Sequence, residues 1–290
     1  MLSWSEWRDK SVSRRAVGEP WFVGLENARP TAVLLFCFPY AGGNAATYRD
    51  WTSARMRGIH AAAAHLPGRA DRILEAPIRD TGPLVRALLE AVRPFTNRRY
   101  AFFGHSMGAL IAFELARALR GKGLRGPERL LVSARRAPHL RNRTPAIHDL
   151  PQLEFLRELR NLEGTPESFF GDPELLDLML PVLRADFELC HCYRFEPGEP
   201  LDCPITAYGG TEDSAVSQQD LEAWRRHTQA EFRLHMLPGG HFFPDTVGAR
   251  FAGYVAEECS GNREASDSGI SLQQLCEQLG RVIPGSASDS

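Results

Sequence analysis

The stretch YAFFGHSMGALIAFELARAL, residues 100–119, constrains this chain more than any other. It begins as a short aromatic and apolar run that suits a buried strand, and it ends with apolar residues at helical spacing. Between the two lies Gly104-His105-Ser106-Met107-Gly108, with no length left over for a loop. A serine pinched between glycines at such a junction is either a tight turn or a catalytic nucleophile. The second reading has a physical basis. A strand that turns at once into a helix strains the serine backbone, and small flanking residues relieve the crowding. The hydroxyl then stands clear of the sheet at the positive end of a helix.

The rest of the chain repeats the strand-then-helix rhythm. TAVLLFCFP (31–39), HAAAAHLPG (60–68), ERLLVSA (128–134), PITAYGG (204–210) and EFRLHMLPGG (231–240) read as further strands, and LVRALLEAVRPF (84–95) as a helix stopped near Pro94. Alternation of this kind predicts an α/β fold with a mostly parallel, doubly wound sheet, its site in the loops after the C-terminal strand ends. From about residue 140 to about 195 the sequence is helical and apolar with no strand of its own, which suits a helical lid inserted between two strands. The domain is expected over 1–261. Residues 262–290 read as a polar linker followed by an amphipathic helix, with Leu272, Leu275, Cys276 and Leu279 on one face and Ser271 and Gln274 spaced as a capping box.

Composition excludes more than it selects. A net charge of -2 over 290 residues gives no general pull toward nucleic acid or membrane, and no apolar run is long enough to cross a bilayer. The N-terminal stretch 1–20 lacks the continuous apolar core of a signal peptide, so a cytoplasmic protein is expected. The six cysteines are scattered without a C-x-x-C pair, and Cys190-His191-Cys192 would point its side chains in different directions on a helix. Neither a metal nor a cofactor is expected.

A serine hydroxyl needs a base to take its proton, and the base needs a carboxylate to orient it. On α/β-hydrolase folds these follow the serine in the order acid, then histidine. Glu212 and Asp213 come just past one strand end and His241 just past another, in a loop opened by Gly239 and Gly240. Ser106, Asp213 and His241 therefore form the expected triad, with Asp213 preferred to Glu212. His105 is assigned to packing in the turn and His235 to the last strand, while His139, His148, His191 and His227 fall in helical or loop segments. An oxyanion hole should combine the Met107 N–H with an N–H from the loop Phe38-Pro39-Tyr40-Ala41-Gly42-Gly43. Ala41 is the first choice there and Tyr40 the alternative.

With these residues assembled, the chain resembles the type II thioesterases, α/β-hydrolases that accompany modular polyketide and nonribosomal peptide synthetases. FCFPYAGGNAATY, LPGR, GHSMGALIAFELAR, SARRAPHL, LRELRNLEGTPE, LRADFELCHCYRF, YGGTEDSAVS and LPGGHFF carry the likeness, from roughly Pro20 to Val255. It implies Ser106 as nucleophile, Asp213 as acid, His241 as base and the Ala41 and Met107 N–H groups as oxyanion hole. It also implies hydrolysis of acyl groups from the phosphopantetheine arm of acyl carrier or peptidyl carrier domains, with no cofactor. The chain departs from the usual pattern at Glu212 and Ser214, where a second Asp or a Pro is common, and in its tail. A general esterase or lipase on the same fold is the rival reading. Basic residues gather between Arg117 and Arg143 with few acids beside them in sequence. Arg135 and Arg136, straight after a strand, are the candidates to meet an acidic carrier protein or the pantetheine phosphate.

Overall fold

The runs read as strands build one sheet. In the computed structural model, which describes residues 20–53, 58–143, 146–162, 164 and 167–260, the strands are β1 (Phe22–Val23), β2 (Val33–Phe38), β3 (Ile59–Ala64), β4 (Tyr100–His105), β5 (Leu130–Ser133), β6 (Ile205–Gly210) and β7 (Phe232–Leu237). Their order across the sheet is β1-β3-β2-β4-β5-β6-β7. All neighbours from β3 to β7 pair in parallel, and β1 alone among them lies antiparallel, on β3. Every residue of β2, β4, β5 and β6 is buried, as expected for parallel strands covered by helices on both faces. The expected tail helix and linker after 261, and nearly all of the N-terminal stretch read for a signal peptide, lie outside the described residues.

The helices are α1 (Arg49–Ser53), α2 (Thr81–Val92), α3 (Met107–Gly121), α4 (Gln152–Asn161), α5 (Glu167–Phe170), α6 (Pro173–Cys192), α7 (Gln218–Glu222), α8 (Phe243–Val247) and α9 (Ala249–Ser260). Local chemistry fixes several starts. The Asp80 carboxylate accepts from the Gly82 N–H ahead of α2, and Asp172 accepts from the Leu175 N–H at α6. Ser217 and Asp220 form a reciprocal capping box that opens α7.

Alternate residues of the strands feed opposite cores. Leu34, Phe36, Phe38 and Phe102 pack with Leu110 and Phe113 of α3 and with Trp224. Leu35, Cys37, Phe103 and Tyr208 pack with Phe251 and Val255 of α9. A third cluster belongs wholly to the segment between β5 and β6: Ile147, Phe155, Leu159, Phe169, Leu180 and Leu183. That segment contributes α4, α5 and α6 and, among its described residues, no strand, and it has a core of its own. No helix among the described residues is long and apolar enough to cross a membrane.

Candidate active site

Ser106 sits between β4 and α3 with φ 53° and ψ −112°, a backbone conformation that L-residues rarely adopt. The two glycines of the motif are there for space. A Cβ on Gly104 would lie 2.2 Å from the Gly108 carbonyl oxygen, and one on Gly108 would lie 2.0 Å from that of Phe38. The turn therefore closes only if both positions lack a side chain. The Ser106 N–H donates to the Ser133 carbonyl at 2.8 Å, fixing the elbow to β5. Met107 begins α3, so its N–H is one of the first-turn donors that a helix leaves unpaired.

Asp213 follows β6, and His241 follows β7. Their loops are brought close because Gly210 has no side chain: a Cβ there would meet the Gly240 carbonyl oxygen at 2.2 Å. His241 Nε2 lies 3.1 Å from Ser106 Oγ, and His241 Nδ1 lies 2.8 Å from Asp213 Oδ2. The other carboxylate oxygen, Asp213 Oδ1, accepts from the Ala215 and Val216 N–H groups at 2.8 and 3.1 Å. The Asp213 side chain is 1% exposed, whereas Glu212 is on the surface. This local turn selects Asp213 over Glu212 as the partner of the imidazole. A carboxylate on Nδ1 holds the ring in the tautomer whose Nε2 can accept a proton.

His105, inside the elbow, takes a supporting place. Its Nδ1 lies 2.9 Å from Ser133 Oγ, and its ring packs 5.4 Å from that of His241. Burial, and next the neighbouring His241, lower its pKa well below the usual imidazole value, so it stays neutral beside the triad. His235 lies on β7 as expected.

The triad opens into a cavity of about 470 Å3, within the range of small-molecule sites. Tyr40 and Ala41 from the loop after β2, Leu159 of α4, and Leu183 and Phe187 of α6 line it with Ser106, Asp213 and His241. A second cavity, about 360 Å3, lies beyond Tyr40 and Phe242, whose rings meet edge to face at 4.9 Å and line both spaces. Phe242 was not singled out from the sequence, although it stands beside His241.

Of the nine basic residues between Arg117 and Arg143, Arg117, Arg125, Arg129 and Arg136 have acidic partners in space. Arg117 pairs with Glu114, Arg125 with Glu128, and Arg129 with Glu258. Arg120 donates to the carbonyls of Glu199 and Pro200. Arg135 and Arg136 both line the first cavity, beside Ser106, but Arg136 is committed to an ion pair with Asp220. Arg135 is half-buried.

Known proteins answer to this arrangement. The model of the family described as "Thioesterase domain" matches residues 34–259. A Brevibacillus parabrevis protein named linear gramicidin dehydrogenase LgrE is 46% identical over 77% of this chain and 86% of its own length. That name denotes a redox enzyme, while the matching family is one of hydrolases, and the serine–histidine–aspartate line agrees with the family. The gramicidin S biosynthesis protein GrsT of Aneurinibacillus migulanus is 44% identical over 77% of this chain and 87% of its own. The solved structure of the type II thioesterase BorB, from the borrelidin biosynthetic cluster, superposes with a TM-score of 0.75 at 39% identity, covering 82% of this chain and 97% of that one. The chain belongs to the thioesterase domain family, as a type II thioesterase of the kind found with polyketide and nonribosomal peptide synthesis.

Proposed function

We propose that this chain hydrolyses acyl groups from the phosphopantetheine arm of acyl carrier or peptidyl carrier domains, clearing stalled or misprimed chains from a modular synthetase. The observation that supports this reading best is the line Ser106 Oγ to His241 Nε2 to Asp213, at 3.1 and 2.8 Å, at the foot of a cavity walled by the helical segment.

The reaction runs in two halves. His241 Nε2 takes the proton of Ser106 as Oγ bonds to the thioester carbonyl carbon. Asp213 stabilises the imidazolium, and the Ala41 and Met107 N–H groups receive the oxyanion. The C–S bond breaks, and the pantetheine sulfur leaves with the proton held on His241. Water then gives a proton to His241 while its oxygen attacks the acyl-serine, and collapse releases a free acid and restores Ser106. Every step is a proton transfer or an acyl transfer between these groups, and no cofactor enters. The helices α4 to α6 act as the lid that decides which acyl groups reach the serine. Arg135, free of the Asp220 pairing that occupies Arg136, meets the phosphate or the acidic face of the carrier.

The test follows acyl loss from a loaded carrier protein by intact mass, with the same acyl group on a small thiol and on an oxygen ester in parallel. Faster release from the carrier, abolished in Ser106→Ala, is expected. Equal or better turnover of the oxygen ester would retire the carrier as substrate in favour of a general esterase. Turnover that survives Ser106→Ala would retire the nucleophile.

A further inference from the structure

Behind the loop that carries Ala41 lies an ion pair taken almost completely out of water. Arg69 ends the Leu66-Pro67-Gly68-Arg69 stretch after β3, and Asp186 projects from α6; each residue is 2% exposed. They meet through two parallel hydrogen bonds, Nη1 to Oδ2 and Nη2 to Oδ1, both 2.9 Å. Each also grips the loop after β2. Asp186 Oδ2 accepts from the Gly42 N–H at 2.7 Å, and Arg69 Nη1 donates to the Gly43 carbonyl at 2.9 Å.

Stability alone does not account for such a pair, because burying two charges is costly and apolar side chains of similar volume commonly serve as well. What apolar side chains would not supply is a partner for Gly42 N–H and Gly43 C=O. That loop needs holding. Gly42 has φ +79°, a region open to glycine, and glycine leaves a backbone loosely determined. The chain of contacts leads to one peptide plane. Arg69 holds Gly43 by its carbonyl, and the Gly43 N–H donates to the Tyr40 carbonyl at 2.9 Å. Tyr40 C=O and Ala41 N–H belong to the same planar peptide and point in opposite directions. Pinning the oxygen end therefore aims the N–H end.

We propose that Arg69 and Asp186 are positioning residues that set the direction of the Ala41 N–H in the oxyanion hole. Because Asp186 lies on α6, which also lends Leu183 and Phe187 to the cavity wall, the pair locks the donor loop and that wall into one frame. This rests on the proposed reading, in which Ala41 N–H receives the oxyanion.

The decisive comparison separates folding from rate. Single Arg69→Met and Asp186→Leu variants each leave one charge buried alone and are expected to lose both stability and activity. The double variant Arg69→Met/Asp186→Leu removes both charges, so its melting temperature is expected to recover toward that of the unaltered protein. Its kcat on a small-thiol thioester is expected to stay about 10- to 100-fold low, with KM within about threefold, the signature of an interaction used in the transition state. A kcat that returns with the melting temperature overturns the proposal, as does a raised KM with kcat kept. Should the double variant not fold, Arg69→Lys keeps a cation beside Asp186 but cannot hold both carboxylate oxygens and the Gly43 carbonyl at once. Its folded fraction, measured by circular dichroism, is expected to show the same kcat loss at unchanged KM, and unaltered kcat overturns the proposal there too. Ser106→Ala run alongside distinguishes the two failures: if that variant still turns over, the acyl-serine reading has failed rather than the positioning pair.

Discussion

At the scale of single residues, the site is made as much by missing side chains as by present ones. Gly104, Gly108 and Gly210 each stand where a Cβ would lie within 2.2 Å of a backbone carbonyl, so their backbones can close on their neighbours. Ser106 stores the strain that results. Asp213 and Glu212 are adjacent in sequence, yet only Asp213 has the loop N–H groups of Ala215 and Val216 on its free oxygen. Arg135 and Arg136 divide in the same way, one committed to Asp220 and the other half-buried on the cavity. Arg135→Glu is therefore expected to raise KM for carrier-bound substrate about tenfold, since reversing a charge that steers or pairs a phosphate costs on the order of 1–2 kcal/mol. Hydrolysis of the matching small thioester should change far less. Parallel steady-state assays on the two substrates check this, and equal effects on both would remove Arg135 from carrier recognition. Charge reversal at Arg136 would be a poorer probe, because Asp220 also caps α7 and would lose its partner.

At the scale of elements, the strands were legible because a parallel sheet buried on both faces writes itself as unbroken apolar runs, as in Val33–Phe38. The elbow and the order Ser106, Asp213, His241 were legible for a related reason: each follows a strand end, where the topology gathers loops. β1 was not legible, since Phe22–Val23 is too short to carry any alternation. The partners of the basic run were less legible, because charge balance is a matter of distance in space. Glu258, which holds both Arg129 and Arg233, comes from α9, far along the chain. The helical segment between β5 and β6, expected as a lid inserted within the domain, has a hydrophobic cluster of its own. Phe155, fully buried, is in the middle of that core. Phe155→Ala is expected to cost about 3–5 kcal/mol of local packing. Amide exchange should quicken across α4 to α6 while β2, β4 and β5 keep their protection. Uniform loss of protection through the sheet would mean that the segment and the sheet unfold as one unit.

For the whole molecule, buried histidines make stability depend on pH. His227 lies 2.7 Å from His139 through their ring nitrogens, and burial, then His139, Arg117 and Arg226, bring its pKa down to about 4. The unfolded chain protonates this histidine near pH 6.5, so between about 6.5 and about 4 the unfolded state holds more protons than the folded one. The stabilising contribution of a neutral His227 is therefore complete above about pH 6.5 and is lost as pH falls toward 4, on the order of 3 kcal/mol in all. His105, lowered by its burial, acts in the same sense. Urea midpoints taken at intervals from pH 7 to 4 should fall, and His227→Gln should fall less steeply. Parallel slopes for the two proteins would show that the histidine pair is not the cause.

The margins of the sheet carry a consequence for the company this protein keeps. One margin is β1, two residues long and running against its neighbour. The other is β7, where Arg233 is drawn between Glu231 and Glu258. Among the described residues, an incoming extended chain finds on the first side almost no length to lengthen, and on the second a charged side chain already held by two carboxylates. Both features work against one sheet continuing into the next when copies are crowded together.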